Sequence, residues 1–402
     1  MLSDLQYCLR CAVCEIFRLA LSGALTSGRS YVVRPGPVIS ILALLIAPLP
    51  ASGQAQPTAP QQLCIEEVGG CESADGDAHK AVKWNPGHYI KTQGNQSQGD
   101  VADYVSSVTR QLAKTGHSPK ILGAQVHYAW GMIEPTLGTY NWEPIYTHLN
   151  YLSARGKKLI LAIDVKCFRN DCPSLAPAEL ASEVFLTPRA NPTRIIEIWE
   201  KPNMDLFIAF LQALGAEFDG NPDLEMVLGS ESTPSLQGGS PENFTRSGYA
   251  AQLKRIYAAQ RAAFETTNVI ANINFLSNQL SGLIEQAYQV GAGRGMPDVG
   301  DSAGSYVFRG QCDGNDCGVR DYRGLIPHLA VASTSALSSP EDALTDTPAE
   351  VIAYGLVTKV THYSWVSTLD NEDSWNNIIT AIEGMNPNGH VACPTRYAGG
   401  CK

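Results

Sequence analysis

From Val82 onward the chain alternates short β-branched runs with longer amphipathic stretches, and this alternation constrains the fold more than any other feature. Strand-like runs fall at 88–90, 121–128, 158–165, 225–229, 268–275, 298–301, 325–333 and 360–366. Helical periodicity covers 101–114, 142–155, 204–218, 249–266, 281–290 and 349–358. A helix between two strands carries the chain back to the end it left, so the strands pair in parallel. Eight such units predict the α/β class: a (β/α)8 TIM barrel, formed as a single domain by residues 81–402. No GxGxxG turn follows the first strand, so a dinucleotide-binding sheet is poorly supported.

Composition agrees with a large buried core, since 44% of residues are apolar and only 17% charged. The net charge of −10 lacks the basic footprint of a nucleic-acid binder, so no nucleic-acid partner is expected. No apolar run reaches the roughly 18 residues of a membrane-spanning helix. Residues 38–50 read VISILALLIAPLP, follow Arg34 and precede the small residues Ala51, Ser52 and Gly53. That is the pattern of a secretory signal. Residues 1–53 are therefore read as a signal-peptide region, whose first thirty-odd residues are either a long n-region or the product of a start codon placed too early. Residues 54–80, rich in Gln, Pro, Ala and Gly, are read as a mature N-terminal tail, and a secreted or periplasmic location follows.

Cysteine spacing points the same way. Beyond Cys8, Cys11 and Cys14, the remaining cysteines fall into local couples: Cys64/Cys71, Cys167/Cys172, Cys312/Cys317 and Cys393/Cys401. Four short-loop disulfides are expected in an oxidising compartment. Zinc is the competing reading, but the short-knuckle spacing and an adjacent His are absent. No metal and no cofactor are predicted, and the sequence does not give the oligomeric state.

In a parallel barrel the chemistry sits where strands end and βα loops begin. The second strand runs through Gln125, His127, Tyr128 and Trp130 to Glu134-Pro135, then Gly138-Thr139-Tyr140-Asn141-Trp142, a helix, and Gly156-Lys157-Lys158-Leu159-Ile160-Leu161. Over residues 124–163 this resembles the (β/α)8 glycoside hydrolases of the retaining superfamily that includes β-galactosidases, cellulases and xylanases. The resemblance implies a carbohydrate substrate and hydrolysis of a glycosidic bond. Within the segment, Pro135 and Gly138 punctuate a turn, and Glu134 reads as structural.

The fourth strand ends Leu228-Gly229-Ser230-Glu231-Ser232. The resembled enzymes close this strand with Asn-Glu, the Glu being the general acid/base. Glu231 matches that position and Ser230 replaces the Asn. Partial burial is expected to raise the Glu231 pKa into the range of a usable acid. The seventh strand departs from the resemblance, because Ser333, Thr334 and Ser335 stand where a nucleophilic Glu is expected. Glycoside hydrolysis ordinarily needs a second carboxyl; Asp301 is the preferred candidate, with Asp298, Asp164 and Glu341 behind it. Flat rings and polar groups suit a sugar cleft, so His127, Trp130, Asn274, Tyr306, His362 and Trp365 are assigned to substrate binding. Histidines at strand ends also raise a metal site, as in barrel amidohydrolases, but their early His-x-His is missing. A non-catalytic carbohydrate-binding barrel remains the alternative, favoured by Ser230 and the bare seventh strand. Different chemistry on the same scaffold is a third possibility.

Overall fold

The computed structural model describes residues 80–402, apart from 93–100, 168–171, 173, 190–191, 237, 275, 277, 297–310, 313–314, 317–324, 333–346, 367–371 and 386–390. Eight parallel strands close into a barrel in chain order. They are β1 (Gly87–Lys91), β2 (Ile121–Ala129), β3 (Lys158–Asp164), β4 (Leu224–Leu228), β5 (Asn268–Asn272), β6 (Gly293–Met296), β7 (His328–Ala332) and β8 (His362–Val366). Around them lie α1 (Val101–Leu112), α2 (Glu143–Ser153), α3 (Lys201–Phe218), α4 (Arg246–Ala263), α5 (Leu280–Gln289), α6 (Pro348–Thr358) and α7 (Glu372–Gly384). The protein is a (β/α)8 barrel. Helix α7, which the sequence reading left unassigned, buries Trp375, Ile378 and Ile382 at helical spacing. None of the described helices is long and apolar enough to cross a membrane.

Period-two alternation sorts the strand residues into two cores. Tyr89, Ile160, Ala162, Met226, Leu228, Ile270, Leu329 and Val366 fill the barrel interior. Residues of opposite parity, among them Leu159, Leu161, Val227, Val269, Tyr363 and Trp365, pack into the layer shared with the helices.

The sixth barrel strand is Gly293–Met296, a few residues before the expected run 298–301, which lies outside the described residues. Its sequence, GRGM, carries no apolar alternation to read. Ile270 Cδ1 would lie 2.4 Å from a Cβ at Gly293, and Ile270 Cγ2 2.8 Å from one at Gly295, so the interior is crowded at both positions. Arg294 points the other way, fully buried, and donates to His328 Nε2 at 2.8 Å. His328 Nδ1 in turn donates to the Thr358 carbonyl at 3.0 Å.

The N-terminal end of the barrel is sealed by both ends of the described chain. Val82 N donates to Gly400 O at 3.0 Å, and Lys402 N donates to Val82 O at 2.9 Å. Lys83 caps the approach to β4, donating to the carbonyls of Asp219, Asn221 and Leu224 at 2.8, 2.6 and 3.0 Å. Buried Glu225 gathers Asn85 N, Asn85 Nδ2, Asn268 Nδ2 and His362 Nε2 at 2.9, 2.7, 3.2 and 3.1 Å. The Cys393–Cys401 disulfide closes the C-terminal loop, and Cys167–Cys172 closes another after β3. Cys64, Cys71 and Cys317 lie outside the described residues, as do the signal region and tail.

Candidate active site

The opposite end of the barrel collects charge. Gln125 pairs in register with Ile160, and His127 with Ala162, so both side chains share the interior face of those two residues. Asp164 ends β3 on the same face. Gln125 Nε2 donates to His127 Nε2 at 2.7 Å, which leaves the imidazole proton on Nδ1. Nδ1 lies 3.1 Å from each Asp164 oxygen. The Tyr104 hydroxyl holds the His127 backbone carbonyl. Both ring nitrogens of His127 are thus engaged by protein, which makes it a brace for Asp164 more than an open ligand for sugar. Lys91 ends β1 on the face of Gln125.

Glu231 stands just beyond β4. Asn274 Nδ2 donates to Glu231 Oε2 at 3.3 Å, and Thr233 N donates to Asn274 Oδ1 at 3.0 Å. Ser232 Oγ ties the two segments together, donating to Asn274 O at 2.6 Å and accepting from Asn274 N at 2.7 Å. Lys166 Nζ reaches Glu231 Oε2 at 3.4 Å, Glu231 O at 3.3 Å and Thr233 O at 2.9 Å. The Glu231 side chain keeps 26% of its surface exposed and Lys166 only 6%, so the carboxylate, and not the amine, is available to a bound molecule.

Burial acts on both charges and is outweighed on one. It pushes the Glu231 carboxyl upward, but Lys166, Lys91 and the Asn274 amide together hold it below the ordinary carboxylate range, against a smaller opposing push from Asp164. The expectation of a raised, acid-like Glu231 is therefore corrected: the cations beside it win over its burial. Lys166 is shifted down because burial exceeds the pull of Glu231 and Asp164. Its three oxygen neighbours suit an ammonium, which has three protons to give, and not a free amine.

The structure thus pairs Glu231 with Asn274, which is buried behind it, and links His127 to this end of the barrel through Asp164. It does not bring Trp130, Trp365 or His362 there. Trp130 lies in a helical turn after β2, buried between strand and helix layers, with its ring centroid 4.9 Å from that of Phe207. Its Nε1 donates to Glu134 Oε2 at 2.6 Å, while Gly138 N donates to Glu134 Oε1 at 2.7 Å. Glu134 is accordingly the brace of its turn, as its sequence context indicates. Trp365 has outward parity on β8; it is fully buried, stacks on Tyr363 and donates to His88 Nδ1 at 3.1 Å. Burial lowers the pKa of that His88 to about 3, so it stays neutral and accepts the bond. His362 begins β8 and lies at the sealed base against Glu225. Asp301, Tyr306, Asp298, Glu341 and the segment after β7 lie outside the described residues.

Sequence reasoning missed Lys166 and Gln125 and ranked Asp164 behind Asp301. The parity of Ile160 and Ala162 carries over to Asp164, so the signal was present once β3 was phased. Two carboxylates at the ends of adjacent strands, one of them pinned by a buried cation, can accept a proton, attack an electrophilic carbon or hold hydroxyl groups.

No family model and no curated protein matches the chain. Among solved structures, the catalytic domain of β-amylase from Paenibacillus polymyxa superposes with a TM-score of 0.52 at 10% identity, covering 75% of this chain and 98% of that one. The likeness is one of fold. Endo-glycoceramidase II from Rhodococcus sp. aligns at TM-score 0.45 and 13% identity, over 72% of this chain and 75% of that chain. A β-galactosidase from the psychrophilic Marinomonas ef1 aligns at 0.46 and 11%, over 74% and 59%.

Proposed function

We propose that this barrel is an exported glycoside hydrolase-like enzyme that cleaves a glycosidic bond in an oligo- or polysaccharide, with Glu231 as a reacting carboxylate. The observation that carries the reading is the placement of Glu231: a partly exposed carboxylate beyond β4, fixed by Asn274 and Lys166 at the end of the barrel where such chemistry is built. Asp164 at the end of β3 takes precedence over Asp301 as the second carboxyl, because it shares the same mouth and already acts on the charge of Glu231. The enzyme folds around preformed hydrogen bonds at this site, so little reorganisation is needed when substrate enters.

The test is hydrolysis of a panel of bacterial and plant β-glycans, followed by NMR of the first-formed anomer. Glu231→Gln is expected to keep the fold and lower turnover about 10²–10⁴-fold. Asp164→Asn should do likewise, and Asp301→Asn is the comparison that ranks the two aspartates. Inversion at the anomeric carbon is the expected outcome, since Ser333, Thr334 and Ser335 offer no carboxylate nucleophile after β7. Binding without cleavage across the panel favours a non-catalytic carbohydrate-binding barrel. Export is tested separately: the secreted chain should begin near Gln54 or Gln56.

A further inference from the structure

The resembled enzymes use the strand-four glutamate to give a proton in their first step. The surroundings of Glu231 are built for the opposite charge state. Lys166 is buried, and its Nζ is held by two backbone carbonyls, Glu231 O at 3.3 Å and Thr233 O at 2.9 Å, before it meets Glu231 Oε2 at 3.4 Å. Its position is thus set by backbone, whatever the carboxylate does. Asn274 presents an N–H to the same Oε2, and its own carbonyl oxygen is already taken by Thr233 N. It can turn no acceptor toward a carboxyl proton without giving up that bond. Lys91, on β1, adds a second positive charge from across the mouth.

We propose that Lys166 is a positioning residue that fixes Glu231 as an immobile anion, and that Glu231 therefore takes a proton during the reaction instead of giving one. This rests on the reading of Glu231 as a reacting carboxylate. In the step implied, a water molecule loses its proton to a Glu231 oxygen as its own oxygen bonds to the anomeric carbon. The bond from that carbon to the leaving oxygen breaks with its electron pair, and that oxygen is protonated by solvent or by a second carboxyl. The groups that bear on Glu231 are Lys166 and Asp164 from the β3 side, Lys91 from β1 and the Tyr249 hydroxyl from α4. Asp164 is the one nearby negative charge among the described groups, and His127 Nδ1–H is directed at it.

The experiment is a carbon-13 NMR titration of the full chain with labelled glutamate side-chain carboxyls, using Glu231→Gln to assign the signal. In wild type the Glu231 carboxyl should titrate below the free-glutamate value. In Lys166→Met it should move upward by about one to three pH units, the usual effect of an ion partner. Lys166→Arg, which keeps the charge, should restore most of the shift. A wild-type carboxyl titrating at or above the free value overturns the proposal, as does a folded Lys166→Met or Lys166→Gln that leaves the signal where it was. On any glycan that is cleaved, the acidic limb of the pH–rate profile should follow the NMR shift; movement of the basic limb alone identifies Glu231 as an acid and overturns the proposal. The titration needs no substrate, so a chain that cleaves nothing sinks the enzymatic reading without touching this result.

Discussion

His362 Nε2 lies 3.1 Å from Oε1 of Glu225, both side chains fully buried, at the opposite end of the barrel from Glu231. The pair belongs to a polar plug, since Asn85 and Asn268 donate to the same carboxylate and Tyr397 donates to Asn268 Oδ1 at 2.9 Å. Polar groups in this setting hold the fold only while every one of them is satisfied.

Glu225→Leu should therefore be among the most damaging single substitutions. It takes the acceptor away from Asn85 and His362, and each buried donor left unsatisfied costs about 1–3 kcal/mol. Urea unfolding should show that loss, while glycan affinity of the remaining folded protein, read by calorimetry, should be unchanged. Weakened glycan binding would return His362 to the functional site and bring Glu225 with it.

The two interior glycines of β6 should differ in tolerance. A Cβ at Gly293 meets the Pro327 carbonyl oxygen at 2.5 Å, which is backbone and cannot turn aside. At Gly295 the nearest atoms are the side chains of Ile270 and Leu228 at 2.8 and 3.3 Å, which can shift. Gly295→Ala is expected to cost about 1–3 kcal/mol, the usual range for overpacking, and Gly293→Ala more. Thermal melts of the two variants side by side check the order.

Stability should carry the imprint of Glu231. Its folded-state pKa lies below the unfolded value, so the folded protein binds fewer protons there. The associated stabilisation is complete above the ordinary carboxylate range and is lost as pH falls through the lowered value. The melting-temperature gap between wild type and Glu231→Gln should accordingly be wider near neutrality than in strong acid. A gap that grows on acidification would reverse the assignment.

Peptide mapping without reduction should recover Cys167–Cys172 and Cys393–Cys401, and the spacing of Cys64/Cys71 and Cys312/Cys317 predicts two more local links. Replacing both Cys393 and Cys401 by Ser is expected to cost about 2 kcal/mol, toward the low end because the loop is short. Long-range pairing in the map would overturn the local scheme.

Seven of the eight strands were legible because their apolar residues alternate or run continuously between turn signals. The missing one, β6, hides behind Gly293 and Gly295, whose value to the fold is the absence of a side chain. Alternation also has a period but no phase. Tyr363 and Trp365 stand one residue from the inward positions His362, Ser364 and Val366, and only closure of the barrel decides which set faces in. That is why Trp365 is expected at a rim it does not line. Glu231 could be placed at the mouth from sequence because a strand end is a position and not a phase. Lys166 was not, since a lysine beyond a strand usually reaches solvent, and its burial depends on Glu231 and Thr233, which arrive more than sixty residues later.

The pairing of Val82 with Gly400 and Lys402 brings both ends of the barrel sequence to the face away from Glu231. A support, fluorophore or second module attached beyond Lys402 would stand behind the Glu231 end and leave its approach open. Tethered by that tail, the protein would present its mouth outward, so even a polymer too large to diffuse into a matrix could reach it. The same proximity of ends makes a linker from Lys402 to Lys80 short, and new termini could then be opened in a loop on the mouth side to place a probe beside Glu231.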